Sequence, residues 1–289
     1  LDKLEVTYEK DECKHPNICS SYPAAGVFIG DSWLSEPIYK NVLASIDYTP
    51  RLKINICDNN QSFTPILNGN INWVATPSIE NYWHLVIRFP KTNVVYEWNM
   101  LSHTNDIASV TKKIEAIILQ HPDKFVDTEL ANGDDLFALF NSDGLNIQPA
   151  ASPVVLPPFN LPYYEGLNRY NDKYWLGIYR RDELFSVPFL IQLCRLCMHT
   201  GITQLCCTSW KTILIKGIEE KDKEKWNLLL EEFQINMRHA ANELNFQVED
   251  NCVEGLDLKT YLVKNLSTDD TRTFGICIGI KTRKKSEVF

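Results

Sequence analysis

Residues 174–218 constrain the fold more than any other stretch of the chain. YWLGIYR (174–180) is aromatic and β-branched, the composition of a strand that packs a pleated surface. SVPFLIQLCRLCMHTG (186–201) is punctuated as a helix, with Ser186 suited to the N-cap, Pro188 to the first turn and Gly201 to the C-terminal stop. QLCCTSWKTILIKGI (204–218) then reads as strand, tight turn, strand. A helix inserted between strands that turn back on themselves predicts an α+β class, with helices packed on mixed β-sheets.

A proline-dense run divides the chain. Gln148–Pro162 holds five of the fourteen prolines, a density that no helix or central strand tolerates. The expected organisation is a first half over 1–147, a linker over 148–162, a second half over 163–282 and a basic tail over 283–289. In the first half RLKINIC (51–57), NINWVAT (70–76) and YWHLVIRFP (82–90) read as strands, the last two joined by a turn at IENYW. A helix is predicted over 105–120, where Ile107, Val110, Ile114 and Ile117 recur at spacings of three and four with Pro122 beyond. In the second half an amphipathic helix is predicted over 221–233, a polar helix or loop through MRHAANEL, and a strand at FGICIGI (274–280). Each half carries a strand–turn–strand unit with a long helix.

Composition narrows the function classes. The 289 residues are 44% hydrophobic, enough for a sizeable core. Net charge is −8 with both signs interspersed, so no global basic field attracts nucleic acid. No apolar run has the ~18 residues of a membrane span, and no signal-peptide pattern opens the chain. The start at Leu1 is that expected of a fragment of a longer product. The nine cysteines are an odd number, and several sit in apolar runs, where a thiol behaves as a small hydrophobe; a reducing cytoplasm is the expected compartment.

Ready-made catalytic motifs are missing. The six histidines show neither H-E-x-x-H nor a Cys/His zinc spacing, and there is no phosphate loop, nucleophile elbow or dinucleotide fingerprint. Cys194 and Cys197 have a redox-like spacing, but on a helix they share the apolar stripe of Leu190 and Leu193, which reads as core packing. Cys13 and Cys19 show a C-x5-C spacing that reads as coincidence, since Cys19 falls on a strand-like run.

Four stretches, in order, carry a resemblance: NICSSYPAAGVF (17–28), RLKINIC (51–57), NGNINWVATPSIENYWHLVI (68–87) and the 174–218 unit. Together they resemble the nitrite and sulfite reductases that carry sirohaem and an iron–sulfur cluster, whose ferredoxin-like half-domains the fold is expected to share. Sirohaem is a polycarboxylate, so such a pocket needs several Arg and Lys partners. The resemblance implies that Arg51 and Lys53, alternate residues on one face of a strand, contact the macrocycle. It also implies that Lys211 approaches the cofactor from the tight turn, with Trp210 stacked on a flat ligand. The competing readings are a solvated strand edge for Arg51 and Lys53, and a sheet-packing Trp210 beside a turn charge at Lys211.

The chain departs from the family at two places. Pro16 stands where the family has an arginine before Asn17, so one carboxylate clamp is gone. The cluster cysteines, spaced C-x5-C and C-x3-C after the second half-domain, have no counterpart: MRHAANELNFQVED (237–250) contains none, and Cys252 follows alone. No iron–sulfur cluster is therefore expected. The chain most resembles a cofactor-poor relative of the kind fused to a C-terminal rubredoxin domain, with KTRKKSEVF as the junction. That implies an electron-transfer accessory working with rubredoxin or another redox partner in nitrite or sulfite assimilation, with neither a nucleic acid nor a membrane as partner. Two alternatives stand beside it: a reductase that binds sirohaem or another tetrapyrrole through an unusual ligand set, and a ligand-free interaction scaffold.

Overall fold

The computed structural model describes residues 17–27, 33–59, 67, 69–92, 94–155, 166–180, 182–208, 211–235, 243–249, 252–271, 273, 276 and 278–282. These fall into two compact units, one ending before residue 156 and the other starting after residue 165.

The first unit is a mixed six-stranded sheet in sequential order, made of β1 (Ile18–Ser20), β2 (Ile54–Cys57), β3 (Ile71–Ala75), β4 (Tyr82–Arg88), β5 (Val95–His103) and β6 (Ile147–Pro149). β1, β2 and β3 are parallel, and the rest of the ladder is antiparallel. Helix α1 (Glu36–Ser45) lies between β1 and β2; α2 (Ile107–Gln120), α3 (Pro122–Phe125) and α4 (Gly133–Leu139) lie between β5 and β6. Val110, Ile114 and Ile118 of α2 are buried, as its period requires, and the buried indoles of Trp73 and Trp83 donate to Thr111 and Thr104 hydroxyls, each at 2.9 Å. β2 and β3 are buried along their whole length, so both faces of the sheet are covered there.

The proline-dense run begins as sheet. Pro149 sits on β6, an edge strand that needs no donor from it, opposite Met100. Val154 then packs with Cys57 and Val74 against the sheet.

The second unit is an antiparallel four-stranded sheet in the order β7 (Leu167–Tyr170), β8 (Lys173–Ile178), β10 (Ile213–Ile218), β9 (Cys206–Cys207). Helices α5 (Val187–Thr200) and α6 (Lys223–Glu232) bury Phe189, Leu193, Cys197, Trp226 and Leu230 against Leu176, Ile178 and Ile215. The Ser186 hydroxyl accepts from the Phe189 N–H, and Gly201 ends α5 at φ 72°, a left-handed conformation that glycine enters freely. A smaller parallel pair, β11 (Phe246–Val248) and β12 (Ile278–Ile280), is joined through α7 (Val253–Thr268). The architecture is α+β, helices on mixed sheets.

Three local readings change. β2 starts at Ile54, so Arg51 and Lys53 precede the strand. α7 fills a stretch that its sequence period did not announce. Cys197 is buried but Cys194 faces solvent, so only one of the pair belongs to the core stripe. Burial pushes the Cys197 thiol up to about 11, with Cys194 adding to the shift.

Candidate functional site

In the first unit a buried carboxylate sets the bend that carries the two predicted cations. Glu115 of α2 is 5% exposed, and its Oε1 accepts the N–H groups of Arg51 at 2.6 Å and Leu52 at 2.7 Å. Two main-chain donors just before β2 are thus taken up by this carboxylate. Both side chains, Arg51 and Lys53, are exposed. The Lys53 N–H donates to Asn70 Oδ1 at 3.1 Å.

The same sheet carries buried polar groups on its inner rows. Asn55 donates to Asn72 Oδ1 at 3.0 Å, and Asn72 donates in turn to the carbonyls of Gly69 and Val86 at 2.9 and 3.1 Å. His84, 6% exposed, pairs through Nδ1 with Glu97 Oε1 at 3.1 Å. Burial lowers the His84 pKa from its ordinary 6.5, while Glu97 pulls it back up. Both Glu97 oxygens also accept the Val154 N–H, at 2.8 and 3.0 Å, tying the segment after β6 to this pair.

In the second unit three charges converge. Lys211, in the turn between β9 and β10, donates to Glu183 Oε2 at 2.9 Å and to the Val248 carbonyl at 2.6 Å. Glu183, in the loop between β8 and α5, receives Lys259 of α7 on its other oxygen at 2.8 Å. Lys259 is 1% exposed, and its ammonium lies 5.1 Å from the centre of the Tyr179 ring. Burial holds Lys259 below the ordinary lysine pKa; Glu183 opposes that shift and the nearby Lys211 adds to it. Lys211 and Glu183 both have left-handed backbones, φ 56° and 59°, which residues with a Cβ enter at a cost.

Of the residues expected at a cofactor, then, Arg51 and Lys53 belong to the first unit and Lys211 to the second, while Trp210 lies outside the described residues. Glu183 and Lys259 were not anticipated. A signal for Lys259 existed: it falls with Leu256 and Val263 on one helical stripe, a charged residue in an apolar row. Nothing local distinguishes Glu183 within RRDELF. Among the described residues no group of three or more His, Cys, Asp or Glu side chains is arranged to hold a metal ion, and no helix is long and apolar enough to cross a membrane.

No protein-family profile and no curated protein matches the chain in sequence. Among solved structures 27 chains match. One is the NirA protein of Mycobacterium tuberculosis, at 13% identity and a TM-score of 0.60, covering 87% of this chain and 51% of that one. The chain thus spans about half the length of this neighbour. At that identity the likeness carries the fold alone, and the fold is the mixed α+β one implied by the resemblance to nitrite and sulfite reductases.

Proposed function

We propose that the chain is an electron-transfer accessory module on a nitrite/sulfite-reductase scaffold, acting with a rubredoxin domain in nitrite or sulfite assimilation. In this reading it holds no iron–sulfur cluster of its own. The observation that carries the reading is the distribution of cysteines: only Cys252 and Cys277 follow Ile218, and a cluster is held by four ligands, most often Cys thiolates. Cys252 has a structural task, since it is 4% exposed and its sulfur accepts the Gly255 N–H at 3.2 Å as the cap of α7. The reductase-like fold supports the kinship.

Two of the second unit's lysines are engaged otherwise than a polycarboxylate macrocycle would need. A tetrapyrrole carboxylate needs ammonium groups turned towards it, whereas Lys211 and Lys259 are both turned onto Glu183. Arg51 and Lys53, in the first unit, are both exposed. A reducing cytoplasm suits the seven described cysteines, which are thiols rather than disulfides.

Titration of iron-loaded rubredoxin into the isotopically labelled chain, followed by NMR, tests the reading. Saturable chemical-shift changes that weaken with salt are expected of a transient redox encounter. No saturable change at low salt contradicts it.

A further inference from the structure

Lys211 and Lys259 approach from two different elements, a hairpin turn and a helix, and meet at a single carboxylate. Glu183 is delivered there by a surface loop: its N–H donates to the Arg180 carbonyl at 2.8 Å, and its neighbour Leu184 is 61% exposed. Two cations thus meet at one carboxylate, and that carboxylate is carried on a left-handed, strained backbone. Lys259 also lines a cavity of about 460 Å³, with Lys264, Ser267, Thr268 and Glu243. Glu243, 4% exposed, acts on the Lys259 charge and is the one acidic group among the described residues that line it.

We propose that Lys211 and Lys259 form an anion site that Glu183 occupies as an internal ligand, and that a small oxyanion or a carboxylate of an external acid takes the same two ammonium groups when Glu183 leaves. The chemistry is that of paired lysines generally: two ammonium groups that each bond one oxygen of the same carboxylate suit a ligand presenting two anionic oxygens. An internal occupant lowers the apparent affinity for an external one by the fraction of time the site is open. Glu183 is then the latch. The inference deepens the accessory reading, because it explains how a scaffold with lysines at this turn avoids holding an acidic cofactor. It stands on its own geometry, so a cofactor found elsewhere on the protein would end that reading and leave this one intact.

The test is calorimetric titration of sulfate, and separately of citrate, at constant ionic strength, into the wild-type chain and Glu183→Gln. Glu183→Gln is expected to bind at least one of them about tenfold more tightly than wild type, and Lys211→Met in that background to abolish the gain. A gain with sulfate alone identifies a free oxyanion, and a gain with citrate alone identifies a carboxylate-bearing acid. A folded Glu183→Gln that binds neither more tightly overturns the proposal. If Glu183→Gln does not fold, Glu183→Asp, which keeps the charge but withdraws it by one methylene, takes its place. Failure of Glu183→Asp to fold or to bind more tightly also overturns the proposal and makes the cluster a purely structural one.

Discussion

A lysine that is 1% exposed survives as a cation only where something compensates its lost hydration, and Lys259 has a carboxylate at 2.8 Å and an aromatic face at 5.1 Å. Removing one partner of such a pair typically costs about 3–5 kcal/mol, because the other charge is left buried. His84 is the first unit's counterpart, a buried base held by one acid. Its folded pKa lies below 6.5 because burial outweighs Glu97. As pH falls through 6.5 the unfolded chain takes up a proton that the folded chain refuses. Stability is therefore lost from about pH 6.5 down to the folded value and levels off beneath it. His84→Asn is expected to flatten this acid-side slope. Urea unfolding of both proteins between pH 7.5 and pH 5 checks it, and an unchanged slope would show that another group governs the loss.

Elements differed in how much of them the sequence disclosed. Helix α5 was legible because Ser186, Pro188 and Gly201 mark both ends and an apolar stripe fills the middle. Helix α2 was legible from its period. β2 was legible only from Ile54 onward: nothing in RLK indicates that Glu115, 64 residues away, claims the main-chain donors of Arg51 and Leu52. α7 escaped because a glycine and a lysine interrupt the apolar row on its buried face, and both have tertiary reasons to be there. At Gly255 an added methyl would lie 2.6 Å from Val248 Cγ1 and 2.9 Å from the Cys252 sulfur. Close approach of α7 to β11 requires that glycine. Gly255→Ala is expected to destabilise the chain by about 1–3 kcal/mol through overpacking, and Val248→Ala in the same background to restore part of the loss. Denaturant midpoints decide the matter; a neutral Gly255→Ala would mean that β11 yields freely.

At the scale of the whole molecule, the fold was legible and the chemistry was not. Four ordered stretches sufficed to indicate the α+β architecture, since each contains strands or a helix that can be read from local pattern. The surroundings of Lys211 were not, because Glu183, which pairs with it, lies 28 residues away in sequence and carries no local signal. The central proposal is an accessory module that serves a redox partner without a cluster or macrocycle of its own. The most direct test is the visible absorption spectrum, with iron and acid-labile sulfide assays, of protein produced in cells that overproduce sirohaem. The account predicts a colourless, iron-free protein, and a Soret band at stoichiometric occupancy would contradict it.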